Sequence, residues 1–325
     1  MQVLAANQAA AGSGAARLRR LYLPSVATAV LTALVVFQGA MVLAREGELG
    51  GSLTGALVEL VGPTVLLFIA AVLICERLWP AVRRPVLSRG HLQDAAFFVF
   101  FAAAVVPLVT LLGVAFSTLL QAHAPWIEAS FTTAWPRWLV VGVTLVAMDG
   151  CNWVAHWTEH RIGLLWRFHA VHHTQEELSI LTTFRTHPLV HTLTFLTATV
   201  PVVALMPDRS LAPILVTVYL CLGALPHANV GWSFGPVGRV LCSPAYHRLH
   251  HAVDGPYDVN LGIVLTIWDV LARRAVFPNR GTPACRTGLA GRPLVVEQAG
   301  ARYRPVRVFT AQMAEPFAAR ASSSN

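Results

Sequence analysis

The stretch that decides the fold is residues 149–173, DGCNWVAHWTEHRIGLLWRFHAVHH, where an apolar segment runs into a group of histidines. It carries two histidine boxes, HWTEH at 156–160 and HAVHH at 169–173, and a third box, HRLHH, follows at 247–251. Residues three or four positions apart share one face of a helix, so each box can bring its imidazoles together. The pattern predicts helices that end in a metal-binding cluster.

The boxes favour two metal ions over one. Neutral imidazole is a common ligand of iron, zinc and copper. Zinc sites usually use four protein ligands, or three and a water, so an all-zinc structural role would leave histidines over. The alternative is that the histidines have only a surface or packing role. Two HxxHH boxes would seldom occur in one chain by chance, which disfavours that alternative.

The composition indicates a membrane protein. Hydrophobic residues make up 55% of the 325 residues, charged residues only 12%, and the mean hydropathy is +0.58. A soluble domain carries about twice that charged fraction. The net charge of +8 comes from arginines beside apolar runs, which favours the flanks of membrane spans over nucleic acid. The five cysteines lack CxxC spacing and are predicted to be reduced packing residues.

The predicted fold is all-α, a polytopic membrane protein with about four to six spans and a cytoplasmic, histidine-rich di-metal cap. Apolar runs occupy residues 21–44, 55–79, 94–121 and 138–155, and a cleaved signal peptide is the rejected alternative for the first. The expected organisation is a disordered N-terminal tail (1–20), transmembrane helices (21–148), a histidine-box catalytic region (149–276) and a C-terminal surface tail (277–325). The apolar hairpin 189–226 of the catalytic region either crosses the membrane or is re-entrant.

The arginines predict the orientation. They lie before the first apolar run, in the 77–93 loop and after the fourth run, whereas loops 45–54 and 122–137 hold one each. The positive-inside rule then places the N-terminus and the histidine boxes on the cytoplasmic side.

Further motifs accompany the boxes. They are Glu76-Arg77-Leu78-Trp79-Pro80, Asp149-xxx-Trp153, Leu165-Trp166-Arg167-Phe168, Arg185-Thr186-His187-Pro188, His227-Ala228-Asn229, Ser243-Pro244, Asn260-Leu261-Gly262 and Trp268-Asp269. Over roughly residues 65–275, this set resembles the fatty acid hydroxylase (sterol desaturase) superfamily. The resemblance implies an integral membrane protein of the bacterial inner membrane that binds two iron ions. It also implies O₂ as oxidant, and electrons from a separate donor such as ferredoxin and its reductase.

The resemblance also assigns residues. The implied metal ligands are His156, His160, His169, His172, His173, His227, His247, His250 and His251. Some members have a further histidine four residues after the position of His227, where this chain has Gly231. The residues expected to hydrogen-bond ligand histidines are Asp149, Glu159, His187 and Asn229. A solvated Glu159 and a metal-bound His187 stay open as alternatives, while His91 and His123 are predicted to be solvated loop residues and His191 an ordinary polar residue at a helix start.

These assignments predict an oxygenase that hydroxylates a C–H bond of a lipid-like substrate (fatty acyl, sterol or isoprenoid). A desaturase with the same centre is an equal match to the residues. A membrane zinc hydrolase or a metal-binding receptor is the alternative outside redox chemistry, and purified protein can carry zinc in place of iron.

Overall fold

The computed structural model describes residues 55, 60–85, 88–128, 130–206, 212–255, 257–278, 285–289 and 305–317. The predicted tail 1–20 and first apolar run 21–44 lie outside the described residues. The described part is helical and contains isolated β-bridges but no strand, as the sequence predicts. Its α-helices are α1 (Pro63–Leu78), α2 (Arg89–His123), α3 (Arg137–Arg161), α4 (Gly163–His173), α5 (Pro188–Leu205), α6 (Ala212–Ala224), α7 (Pro244–His250), α8 (Ile267–Leu271) and α9 (Pro305–Ala314).

Local sequence signals set where several helices begin. Pro63, Pro188 and Pro244 occupy the first turns of α1, α5 and α7, where a missing N–H costs nothing. Ser243 caps α7 by accepting a hydrogen bond from the Tyr246 amide at 3.2 Å. This cap fixes the start of the helix that carries the third histidine box.

Three of the described helices are long and apolar enough to cross a membrane, namely α2, α3 and α5. A shorter apolar helix covers Leu215–His227. Helix α2 contains a π-helical turn at Phe101–Val105, and it begins five residues before the predicted start at 94 because Ser88 caps it. The predicted total of about four to six spans therefore stays a prediction.

Helix α5 packs along both α2 and α3, and α4 folds back beside the end of α3. A buried ion pair joins this bundle to the segment after α4: Arg185 Nη1 lies 3.2 Å from Asp94 Oδ1, and both side chains are fully buried. Removing one partner of such a pair leaves an uncompensated buried charge, at a cost of about 3–5 kcal/mol. The pair therefore holds the backbone at 185 in place, next to the second histidine box.

The C-terminal segment departs from the predicted surface tail. In α9, the Phe309 ring contacts the rings of Phe97 and Phe100 on α2, with centroids 4.9 and 5.1 Å apart. Phe317 packs on Phe168 of α4 at 5.4 Å. Residues 305–317 thus form part of the packed structure, because their apolar side chains recur at helical spacing and cover the outer faces of α2 and α4.

Candidate metal centre

All nine predicted ligand histidines come together in two groups. The first group consists of His156, His160, His169, His173 and His250, and the second of His172, His227, His247 and His251. Within each group the candidate ligand nitrogens all lie within 4.8 Å of one another. The two groups adjoin, since the rings of His173 and His251 stack at a centroid distance of 4.5 Å.

Three helix ends and one 3₁₀ turn supply the imidazoles. The end of α3 carries the two histidines of the first box, and the turn Leu225–His227 after α6 carries His227. Helices α4 and α7 each contribute to both groups. In α4, His169 and His173 join the first group and His172 the second, whereas in the third box His247 and His251 join the second group and His250 the first.

The Nε2 atoms face one another inside the groups. The distance between Nε2 atoms is 3.1 Å for His156–His169 and His169–His173 in the first group, and for His172–His227 and His227–His247 in the second. Nε2 of His160, His250 and His251 is buried without a hydrogen-bond partner among the described residues. Converging nitrogen lone pairs repel unless a cation or a proton lies between them, so this arrangement fits metal ions.

The opposite ring nitrogens are anchored. His156 Nδ1 lies 2.8 Å from the Leu261 carbonyl and His250 Nδ1 lies 2.9 Å from the Val259 carbonyl. A carbonyl can only accept, so these Nδ1 atoms carry the proton and Nε2 is left as the ligand atom. His172 Nδ1 faces the Arg185 carbonyl in the same way, at 3.3 Å.

Two carboxylates complete these anchors. Glu159 Oε2 lies 2.8 Å from His169 Nδ1, and Asp258 Oδ1 lies 3.3 Å from His160 Nδ1. Glu159 is buried, in contrast to the solvated alternative that the sequence left open. The Nδ1 hydrogen bond of His160 holds the pKa of the Asp258 carboxyl below its usual range.

One loop, residues 258–262, therefore orients three of the five imidazoles of the first group. Its backbone is left-handed at Asp258 and Asn260, with φ of 56° at each, a conformation that Asp and Asn tolerate. Asn260 Nδ2 donates to the carbonyls of Tyr246 and Val276, each at 2.9 Å. Asp269 accepts from the amides of Leu261 and Gly262 at 3.0 and 2.7 Å. The loop is thus rigidly held from both sides.

Burial keeps the imidazoles neutral. The pKa of His172, His173, His247 and His251 lies well below the ordinary histidine value, because burial penalises the charged form and neighbouring imidazoles add to the effect. Neutral imidazole is the form that binds a metal. The protein interior therefore prepares these rings as ligands at pH 7.

Three of the expected hydrogen-bond partners lie elsewhere. The Asp149 carboxylate accepts from the amides of Val264 and Leu265, both at 3.0 Å, and from Trp268 Nε1 at 2.8 Å. It thus anchors the segment after the 258–262 loop rather than a histidine, and it also accepts from the Tyr219 hydroxyl at 3.2 Å. His187 is neither in a metal group nor bonded to a ligand ring in the described structure, since its Nδ1 caps α5 by accepting from the Leu189 amide.

Asn229 also acts through the backbone. Its side-chain Oδ1 accepts from the Val82 backbone N–H at 3.1 Å, and its Nδ2 donates to the Val82 carbonyl at 2.8 Å. The same Oδ1 also accepts from Arg248 Nη2 at 3.1 Å. It joins the segment after α1 to the helix of the third box, since Arg248 lies between two ligand histidines. Asn229 therefore reaches the third box through Arg248 and not through a ligand ring.

Two of the other histidines also differ from prediction. His91 lies in the first turn of α2, not in a loop, with Nδ1 2.8 Å from Ser88 Oγ and Nε2 3.9 Å from Glu76 Oε2. His123 is exposed as predicted, but it is the last residue of α2. Neither the contact of Asp258 with His160 nor the bonds of Asp269 to the loop amides were predicted from the sequence, where the only local signal was the Asp-Val-Asn-Leu-Gly turn composition.

An apolar cavity of about 350 Å³ adjoins the histidines. One part of its lining consists of His156, His169, His172, His227, His247 and Glu159. The remainder is mostly apolar, with Phe101, Met148, Phe195, Ala198 and Val202 among its residues. The cavity can therefore hold an apolar part of a ligand beside both histidine groups.

Comparisons with known proteins agree with this arrangement. Residues 141–273, which include all nine candidate ligand histidines, match the family profile described as fatty acid hydroxylase. This region of the chain is a fatty acid hydroxylase domain. It is 26% identical over 255 residues to the ornithine lipid hydroxylase OlsE of Rhizobium tropici, covering 77% of this chain and 73% of the relative.

Alkylglycerol monooxygenases match a shorter region. Those of Danio rerio and Xenopus tropicalis are 29% and 26% identical over 147 and 145 residues, which is 44% of this chain and 31% of each relative. No solved structure matches the chain. The family predicted from the motifs is confirmed for residues 141–273, and the chain is an enzyme of the oxidoreductase class.

The two groups predict how metal content responds to single substitutions. His173→Ala and His247→Ala remove ligands from the first and second group respectively, so each should reduce bound metal from about two ions per chain towards one. His227→Ala should behave like His247→Ala, because both rings belong to the four-histidine group. Elemental analysis of the purified protein measures this.

His123→Ala, at the exposed end of α2, is the matched control and should retain both ions. One ion or none in intact wild-type protein would contradict the two-site arrangement. So would unchanged metal content in all three ligand variants.

Proposed function

We propose that this protein is a membrane non-haem di-iron oxygenase that hydroxylates a C–H bond of a lipid-like substrate, using O₂ and electrons from outside the chain. The observation that carries the proposal is the position of both histidine groups at one part of an apolar cavity. A substrate chain in that cavity would lie beside the metal centre and away from bulk water.

The donor set fits iron. Nine imidazoles, divided five and four, exceed what zinc uses in structural or catalytic sites. When bound, two irons would supply the activation of O₂ that oxidation of an unactivated C–H bond requires. The four-histidine group has one donor fewer than the other.

The chain's own residues would hold the centre and place the substrate. The 258–262 loop, the Arg185 carbonyl and Glu159 orient the imidazoles through their Nδ1 atoms. Such outer partners typically change metal affinity or activity by about 10–100-fold when they are removed. The apolar lining would align a hydrocarbon group and exclude water, as ligand cavities commonly do.

The relatives support the substrate class. Both an ornithine lipid hydroxylase and alkylglycerol monooxygenases are named for lipid molecules and for oxygenation. For this chain, a fatty acyl, sterol or isoprenoid group would match the apolar lining of the cavity. The electron donor would be a separate protein such as ferredoxin with its reductase.

We infer a cytoplasmic orientation from the arginine distribution, within a bacterial inner membrane. The 77–93 loop and the segment after α3 are arginine-rich, and both lie on the histidine side of the spans. A reporter fused after residue 325 should therefore report the cytoplasmic side. An external signal there would contradict the orientation while leaving the metal centre untouched.

Two alternatives use the same residues. A desaturase would remove two hydrogens from the substrate and add no oxygen to it, and nothing in the described cavity separates it from a hydroxylase. A zinc hydrolase or metal-binding receptor is disfavoured by the number of imidazoles, and its activity would not consume O₂.

Labelled oxygen separates these possibilities. We expect lipid extracts of cells that express the protein under ¹⁸O₂ to contain a product with one ¹⁸O atom. Ala198→Phe, which places a ring in the cavity, should reduce that product at least tenfold while bound metal is unchanged. The measurement is mass spectrometry at matched protein levels.

Leu189→Phe, at an exposed position in the first turn of the same helix, is the control and should keep near-normal product. A product that carries no ¹⁸O and has two hydrogens fewer than the substrate would indicate a desaturase. A product formed equally without O₂ would overturn the oxygenase proposal.

A further inference from the structure

His191 is a buried polar feature that the metal centre does not use. It lies in the first turn of α5 and lines the cavity that the ligand histidines also line. Its ring packs against Phe101 of α2 at a centroid distance of 5.0 Å. The position of the imidazole is therefore fixed within the cavity wall.

The hydrogen bonding of His191 is incomplete. The ring bonds to the Phe184 carbonyl, whereas Nε2 is buried and has no hydrogen-bond partner among the described residues. A carbonyl only accepts, so the ring donates through Nδ1 and the unpartnered Nε2 is left as an acceptor. Native proteins rarely bury such an acceptor without a partner or a function.

Three other polar side chains in the cavity wall already have hydrogen-bond partners. Asn152 Nδ2 donates to the Tyr219 hydroxyl at 3.0 Å, and that hydroxyl donates to Asp149 at 3.2 Å. The Thr199 hydroxyl donates to the Phe195 carbonyl at 2.9 Å. His191 differs from these three in carrying an unpartnered acceptor, and Glu159, which contacts a ligand histidine, is another lining residue with an unpartnered oxygen.

We propose that His191 is a specificity-determining residue whose Nε2 accepts a hydrogen bond from an N–H or O–H group of the lipid substrate. The inference rests on the proposed function and deepens it, since it narrows the substrate to lipids that carry a hydrogen-bond donor within reach of the apolar cavity. An acceptor in an apolar wall discriminates well, because a ligand without the donor leaves it unpaired. An apolar chain alone would fill the cavity but would gain nothing from His191.

Matched ligand pairs test this directly. The purified full-length protein in nanodiscs is loaded with a fluorescent fatty acid, and displacement is measured for a long-chain N-alkyl amide against the ester of equal length. A second pair, a long-chain alcohol against its methyl ether, distinguishes hydroxyl from amide donors. Wild-type protein should prefer the donor-bearing member of at least one pair by roughly tenfold.

The variants assign that preference to one side chain. His191→Phe keeps a ring against Phe101 and removes the acceptor, so the preference should fall to about one. His191→Gln restores an acceptor and should recover part of it. Val202→Ala, also in the cavity wall, is the control and should lower affinity for both members of a pair while keeping their ratio. Comparing ratios between variants cancels differences in membrane partitioning.

Equal affinity of wild-type protein for both members of both pairs would overturn the proposal and indicate that only water meets Nε2. A preference that His191→Phe leaves unchanged would overturn it as well. Because the assay needs no turnover, a protein that shows the preference but incorporates no ¹⁸O would refute the oxygenase function alone. A protein that incorporates ¹⁸O without the preference would refute the role of His191 alone.

Discussion

The structure depends on one electrostatic constraint, the convergence of nine imidazoles in two adjoining groups. Their Nε2 lone pairs approach to 3.1 Å, which is favourable only with positive charge between them. Protonation is opposed by burial, so metal ions are the cations that satisfy the arrangement. The Nδ1 anchors of His156, His172 and His250 are the other half of the same constraint, because they direct the Nε2 lone pairs of these rings inwards.

The spacing of the second and third boxes follows from this geometry. In each HxxHH box, the histidines at i and i+4 lie one turn apart and serve one group, while the histidine at i+3 serves the other. Box two gives two imidazoles to the first group, and box three gives two to the second. The two helices thus cross-link the groups, and a shift of either helix would disturb both metal sites.

Much of this could be predicted from sequence, because the ligands lie at helical spacing in three short segments. The long helices could also be predicted, since their apolar runs exceed membrane thickness. The partners of the ligands could not. Asp149 lies two turns before His156 and was expected to bond a histidine, but its carboxylate binds amides of the 264–265 segment, more than a hundred residues away in sequence. Asp258 lies in a loop with left-handed backbone, and it contacts His160 from a similarly distant position in the sequence.

The central claim is that two metal ions are held almost entirely by imidazole nitrogen. X-ray absorption fine structure at the iron edge of iron-loaded protein measures this most directly, because imidazole rings give characteristic outer-shell scattering. The structure predicts an average of between four and five imidazoles per iron, from the five- and four-histidine groups. An average of two imidazoles or fewer, or a first shell dominated by carboxylate oxygen or by sulfur, would contradict the account.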